Sequence, residues 1–265
     1  MTEALAALED GRPRLLTFGV SDESAFAVGL ACGGTIRILV EPVEDVAPAL
    51  AVQDLDRIVA ARAARQAIAL AVTLSDWSRR LLSPGDDAAA DARFRMDRSG
   101  CEEDGRFIAI HNPPLRLVIV GAVHIAQALV GIARTCGYDP VIIDPRSAFG
   151  SAARFPGETL IEDWPDEALE ALAPDARTAI VTLTHDPKLD DPAIRFALRS
   201  QAFYLGCLGS AKTHAKRVER LRAAGFSEPE IARIHAPVGL DIGAKTPAEI
   251  AVSVMAQITH ALRKG

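Results

Sequence analysis

Residues 115–129 read LRLVIVGAVHIAQAL, and the placement of glycine in this stretch decides the fold. Leu115 to Val120 is an apolar run broken only by Arg116, the pattern of a strand covered on both faces. From Ile125 the apolar residues recur at helical spacing. Strand, tight turn and helix in that order open a dinucleotide-binding unit. In such a unit the first glycine makes the turn, the second admits the backbone close to a diphosphate, and the third lets helix pack on strand. Gly121 holds the first position, whereas Val123 and Ala126 hold the second and third. The turn and the packing are kept, while close approach of a diphosphate is compromised. Asp144, 23 residues beyond Gly121 at the end of PVIID, stands where a carboxylate accepts bonds from ribose hydroxyls. The stretch reads either as an altered nucleotide seat or as a doubly wound sheet that takes no dinucleotide in the standard pose. His124, inside the turn, reads either as a ligand donor or as a surface histidine at a helix start.

Working outward, the downstream rhythm is strand and helix. A helix is expected over about 123–136, stopped by Gly137, followed by PVIID, AIVTL and FYLGCL as further buried strands. Capping boxes at Ser227–Glu230 and Thr246–Glu249, the latter with Pro247 at the first helical position, start two helices, the last over about 247–263. Upstream, RLLTFGV, FAVGL and TIRILVEPV are strand-like, with ACGGT as a glycine turn. Residues 53–65 predict a helix and QAIALAVTL a strand, an order that suggests a crossover. Between Leu82 and Gly105 small and turn-forming residues dominate, and the first domain is expected to thin out there. Pro113 and Pro114 cannot lie within a central strand, so the border falls near residue 114. The expected architecture is α/β: a smaller N-terminal α+β domain over 1–114, then a Rossmann-like parallel sheet over 115–265.

Composition supports an ordinary globular chain: 49% hydrophobic, 24% charged, net charge -6. Residues 1–112 hold 12 Lys+Arg against 18 Asp+Glu, and the remainder is balanced at 17 of each, so nothing calls for nucleic acid. The apolar run 115–133 is interrupted by Arg116, His124 and Gln127 and fails as a membrane span. The start, MTEALAALEDGRPR, lacks a secretory core, so a cytoplasmic protein with reduced thiols is expected. Cys32, Cys101, Cys136 and Cys207 are scattered, without zinc-site spacing. Lys212, Lys216, Arg217, Arg220 and Arg222 crowd around the single Glu219, which reads either as an anion-attracting patch or as a solvated helix face.

Five blocks carry a resemblance: GLACGGTIRILVEP (29–42), GAVHIAQAL (121–129), VTLTHDPKLDDPAI (181–194), FYLGCLGSAKTHAKRVERLRAAG (203–225) and ARIHAPVGLDIGAKTPAEIAVSVMAQI (232–258). Together, over about residues 15–260, they resemble the XdhC/CoxI family, accessory proteins of xanthine dehydrogenase and carbon monoxide dehydrogenase. The resemblance implies a protein that binds the molybdenum cofactor (molybdopterin), protects it while its terminal sulfur is installed, and delivers it to a molybdenum hydroxylase apoenzyme. That is a chaperone rather than a turnover enzyme. A cysteine desulfurase is a further partner the resemblance suggests, and a second copy or a paralogue is expected to complete the pocket. Two departures stand out. Longer members carry a Ser-Pro-Arg segment ahead of the Cys-Gly-Gly block, whereas 28 residues precede Gly29 here, so an abbreviated first domain is expected. The family also usually has glycine where Val123 stands.

A carrier of that cofactor needs anion donors, a flat slot and a soft atom near the metal. Cys32, flanked by Gly33 and Gly34, supplies the soft atom as a metal or sulfur contact; the alternative is a small buried residue in a hairpin. Ligands of open α/β sheets collect beyond the carboxyl ends of the strands, where Gly121, Asp144, His185, Asp186, Gly209 and Ser210 fall. His185 and Asp186 are expected to hold pterin nitrogens, or else to cap the loop before Pro187. Gly209 and Ser210, with Lys212 and Lys216 in the following turns, form the strongest anion site. Asp241, in GLDIGAKTP, is a further candidate beside Lys245, against a connection needed only for packing. Cys207 is expected in the core. Two other functions fit the sequence: an NAD(P)-dependent oxidoreductase, and a scaffold that docks the hydroxylase or a sulfur donor without binding cofactor.

Overall fold

The larger sheet is built from strands that are apolar on both faces. The computed structural model describes residues 1–20 and 34–264, and the chain divides into two compact units, Met1–Pro113 and Pro114–Gly265.

In the second unit, β7 (Leu115–Val120), β8 (Tyr138–Ile143), β9 (Thr159–Ile161), β10 (Thr178–Thr182), β11 (Tyr204–Cys207) and β12 (Ile234–His235) form one sheet in the order β12-β11-β10-β7-β8-β9. Every pairing is parallel. Alternate residues of β7 serve opposite layers. Leu117 and Ile119 pack with Ala126, Leu129 and Ala133 of α4 (His124–Thr135) and with Ala251, Val254 and Ile258 of α9 (Pro247–Lys264). Val118 and Val120 pack on α5 (Pro165–Leu172), α6 (Pro187–Arg199) and α7 (Ala211–Ala223), and the short α8 (Glu228–Ile231) adds Ile231. With both faces covered no alternation survives, so the strands appear in sequence as continuous apolar runs. Each large aliphatic side chain buried this way contributes about 1.5–3 kcal/mol. Both capping boxes form. Ser227 and Glu230 exchange bonds at α8, and Glu249 accepts from the Thr246 amide while donating its own amide to the Thr246 hydroxyl at α9. Cys207 is buried in β11, which pushes its thiol up to about 11.

The first unit is antiparallel throughout its described strands. After α1 (Thr2–Asp10), β1 (Arg14–Val20) pairs with β2 (Gly34–Val40), and α2 (Val52–Ala63) precedes β3 (Ile68–Thr73). With β4 (Arg79–Leu82), β5 (Gly100–Cys101) and β6 (Arg106–His111), β3 makes a sheet of order β4-β3-β6-β5. The expected crossover is therefore corrected: β3 pairs antiparallel with both neighbours, because a helix preceding a strand says nothing about the direction of the strand beside it. Ile68, Leu70 and Val72 face Ile58 of α2, while Ala69 and Ala71 face Ala90 and Phe94 of α3 (Ala88–Met96). The expected thinning between Leu82 and Gly105 is likewise corrected, since α3 occupies it. Asp87 starts that helix by accepting from the Ala89 and Ala90 amides. The alanines that disguise the helix are what let it lie close on the sheet. FAVGL and most of ACGGT fall outside the described residues.

Candidate functional site

The topological switch of the larger sheet lies between β7 and β10, whose chains leave toward α4 on one side and α6 on the other. A crevice at the carboxyl ends of such a pair is where open α/β sheets take ligands. A cleft of about 740 Å³ opens there, with His124 and Ile125 on one wall, Thr184, His185 and Asp186 on another, and Arg146 at its edge.

The glycine turn beneath it is held from several sides. Gly121 has φ +109, and a Cβ there would meet Thr184 Cγ2 at 2.6 Å and the Thr184 amide nitrogen at 3.3 Å, so the position excludes a side chain twice over. Its amide donates to the Ile143 carbonyl at 2.8 Å. Asp144 accepts the Ala122 amide at 2.8 Å, the Arg146 amide at 3.0 Å, and the Arg146 guanidinium at 2.8 Å through both Nε and Nη2. Burial alone raises the Asp144 carboxyl; the Arg146 guanidinium and the Ala122 amide outweigh it and hold the group below the usual carboxylate range. From outside, Arg154 donates to the Ala122 and Phe149 carbonyls. The acceptor that would take a ribose thus holds the turn itself. Val123 precedes α4 with no side-chain cap, its side chain against the core.

A second hollow, of about 250 Å³, adjoins the cleft across His185 and Pro187 and lies between the first turns of α6 and α7. Its charged lining comes from Asp190, Lys212, Lys216, Arg217 and Arg220. Three of the five crowded cations turn out to be paired. Arg220 makes a two-point bridge to Asp191 at 2.6 and 2.9 Å, Arg222 binds Glu228 at 2.6 and 3.0 Å, and Arg217 faces Asp190 at 3.7 Å. Lys212 and Lys216 make no ion pair among the described residues. Thr184 joins the two hollows: its methyl abuts Gly121, and its hydroxyl donates to Asp190 at 2.5 Å. Burial is the chief influence on Asp190 and pushes its carboxyl up to about 6, against the Thr184 hydroxyl and the Arg217 charge.

The sequence-predicted residues divide accordingly. His124, His185 and Asp186 share the cleft, and Lys212 lines the hollow beside His185. Asp186 also caps α6 by accepting the Lys188 amide at 2.9 Å. Gly121 and Asp144 lie beneath the cleft as its support. Ser210 caps α7, its hydroxyl accepting the Thr213 amide, and neither it nor Gly209 lines the hollow, which uses the flank of α7 instead. Asp241 is exposed and lines neither space; its loop is pinned at Gly239 (φ +95), which exchanges bonds with the Gln257 amide group. Gly34 begins β2 in the first unit, and Cys32 and Gly33 lie outside the described residues. Sequence reasoning missed Arg146, Arg154 and Asp190. The Asp-Pro-Arg run at 144–146 was a signal for the first; Arg154 depends on Ala122, 32 residues back, and Asp190, though bonded to nearby Thr184, takes its setting from Arg217 on another helix. No three His, Cys, Asp or Glu side chains converge as a metal site among the described residues, and among them no helix is long and apolar enough to cross a membrane.

Comparison with known proteins bears on this rim. Residues 117–258 match the family described as XdhC Rossmann domain. The chain is 30% identical over 256 residues to the molybdenum cofactor insertion chaperone PaoD of Escherichia coli, an alignment spanning 97% of this chain and 68% of that protein. It is 33% identical over 159 residues to a probable xanthine dehydrogenase subunit of Bacillus subtilis, covering 60% of this chain and 46% of that one. Among solved structures, one described as a xanthine dehydrogenase from Bacillus halodurans superposes with a TM-score of 0.65 at 25% identity, over 99% of this chain and 79% of that one.

Proposed function

The chain belongs to the XdhC family, and from that premise we propose that it binds the molybdenum cofactor as cargo at the carboxyl rim of its parallel sheet and hands it to a molybdenum hydroxylase apoenzyme. The observation that carries the reading is the coincidence of a roomy switch-point cleft with a glycine turn whose Asp144 carboxylate and Ala122 amide are already engaged. A site of this size suits a flat, drug-sized ligand. His124 and His185 stand at its walls, where imidazole nitrogens pair with the edge of a pterin. Asp186 is held by the α6 amide and orients the same edge. Cys32, followed by Gly33 and Gly34, is assigned the contact to the metal or to its exchangeable sulfur.

The residues present fit such a guest. The cleft has polar groups on two walls, and buried guanidinium nitrogens without hydrogen-bond partners lie beside it. When bound, the cargo supplies the molybdenum chemistry of the recipient enzyme; this chain's part is to hold, orient and shield it from water. The same occupied Asp144 weighs against NAD(P) chemistry. A cysteine desulfurase and a second copy of the chain are proposed partners of the loading step.

The test offers purified protein cofactor released from a molybdoenzyme, then adds apo-hydroxylase. Retention followed by recovery of hydroxylase activity is expected, and Cys32→Ala is expected to impair protection of the sulfurated form. Failure to retain either the sulfurated or the unsulfurated cofactor would overturn the reading.

A further inference from the structure

Arg217 is the feature whose acceptor the proposed function leaves unnamed. Its side chain is only 2% exposed, and its guanidinium has five N–H donors to satisfy. Nη2 donates to the Leu208 carbonyl at 3.0 Å and lies 3.7 Å from Asp190 Oδ2, too far for a hydrogen bond. Nε and Nη1, both buried, have no partner among the described residues. Leaving charged donors buried and unbonded costs more than leaving neutral ones, so the arrangement points to a missing acceptor. The hollow that Arg217 lines also receives Lys212 and Lys216, one turn apart on α7 and neither ion-paired among the described residues. Arg220 at its edge is neutralised by Asp191. The carboxylate facing the space, Asp190, is bonded to Thr184 and leaves the local balance positive. Both helices also begin at this rim and turn their positive ends toward it.

We propose that the hollow between the first turns of α6 and α7 is a seat for a tetrahedral oxyanion, the terminal phosphate of a phosphomonoester, held by Lys212, Lys216 and the buried guanidinium of Arg217. Because it opens into the switch-point cleft across His185 and Pro187, a ligand with a ring in the cleft reaches the seat with a short tail. Phosphate binding has thereby moved from the β7–α4 turn, where Val123 and the occupied Asp144 obstruct it, to the flank of α7. The seat stands on these atoms alone; only its assignment to the tail of the cofactor rests on the function proposed above.

Inorganic phosphate is titrated into the full chain in chloride buffer, following the Thr213 and His185 amides by NMR and the heat by calorimetry. Riboflavin 5′-phosphate and riboflavin provide flat-ring probes with and without the ester. Saturable phosphate binding is expected, weakened about tenfold or more in the Lys212→Gln, Lys216→Gln double variant, whose exposed side chains are not needed for folding. Riboflavin 5′-phosphate binding more tightly than inorganic phosphate identifies a ring-linked ester as the source, and equal binding identifies the free anion, both on this seat. No saturable binding by either phosphate, or undiminished binding in the double variant, overturns the proposal. Arg217→Gln is a second variant: a folded protein with phosphate affinity unchanged also overturns it. A protein that binds phosphate here yet retains no molybdenum cofactor would uphold the seat and reject the proposed cargo.

Discussion

Asp144 and Asp190 are each 2% exposed and sit on either side of the same rim, yet their carboxyls are driven in opposite directions. Asp144 is enclosed by two amides and a two-point guanidinium and lies below the usual range. Asp190 has one hydroxyl and a guanidinium at 3.7 Å, and burial raises it. The difference separates a region built to be finished without a ligand from one that is not. At the β7–α4 turn the Gly121 and Ala122 amides and the Arg146 guanidinium each meet an acceptor from the protein itself. At α7 two lysines and two guanidinium nitrogens are left over. Hydrogen-bond satisfaction, rather than the glycine count, tells the structural turn from the binding one.

If the glycine turn is structural, breaking it removes stability. Gly121→Ala forces a side chain into a left-handed backbone against Thr184 and is expected to lower the unfolding free energy by about 3–4 kcal/mol in urea titrations. Asp144→Ala, which leaves the Ala122 amide buried without its acceptor, is expected to cost about 2–3 kcal/mol by the same measurement. The Lys212→Gln, Lys216→Gln pair is expected to stay within about 0.5 kcal/mol of the parent, because its contribution is to binding. Equal losses at the two regions would erase the contrast.

The titration of Asp190 sharpens it further. Its folded value near 6 exceeds the ordinary 3.8, so between those limits the folded chain holds a proton that the unfolded chain has released. Stability contributed by that proton is present at about pH 4, falls as pH rises, and is gone above about 6. Asp190→Asn lacks this dependence. From pH 4 to pH 7 the variant is therefore expected to gain about 2 kcal/mol relative to the parent, read from paired urea titrations. A constant difference would mean that Asp190 is as well satisfied as Asp144. The smallest effect is expected from Val123→Gly. Opening the backbone leaves Asp144 bonded to Arg146, so NADH fluorescence titrations should show less than about a twofold gain in affinity.

Much of the architecture was legible because burial on two faces writes itself as unbroken apolar runs. Leu115–Val120 and Thr178–Thr182 were readable for that reason, as were the capping boxes at Ser227 and Thr246. The helix Ala88–Met96 was not, since it buries only Ala90 and Phe94 and has no apolar stripe to show. Pairing direction was equally hidden: Ile68–Thr73 looks the same whether its neighbours run parallel or antiparallel. Within the site, strand ends pointed to the rim where Gly121, Asp144 and His185 lie. What they could not tell was which charges are already used. The Arg220–Asp191 bridge spans 29 residues and Arg217 faces Asp190 from a different helix, so of a cluster that reads as five cations only Lys212 and Lys216 stay without an ion pair among the described residues.

The most direct test is molybdenum and pterin analysis of this protein purified from a cofactor-producing cell, beside the Lys212→Gln, Lys216→Gln variant. Pterin and molybdenum retained in near-equal amounts by the parent, and depleted in the variant, is the predicted result. A parent protein that carries neither, under conditions where a molybdenum hydroxylase in the same cell is fully loaded, would contradict the account.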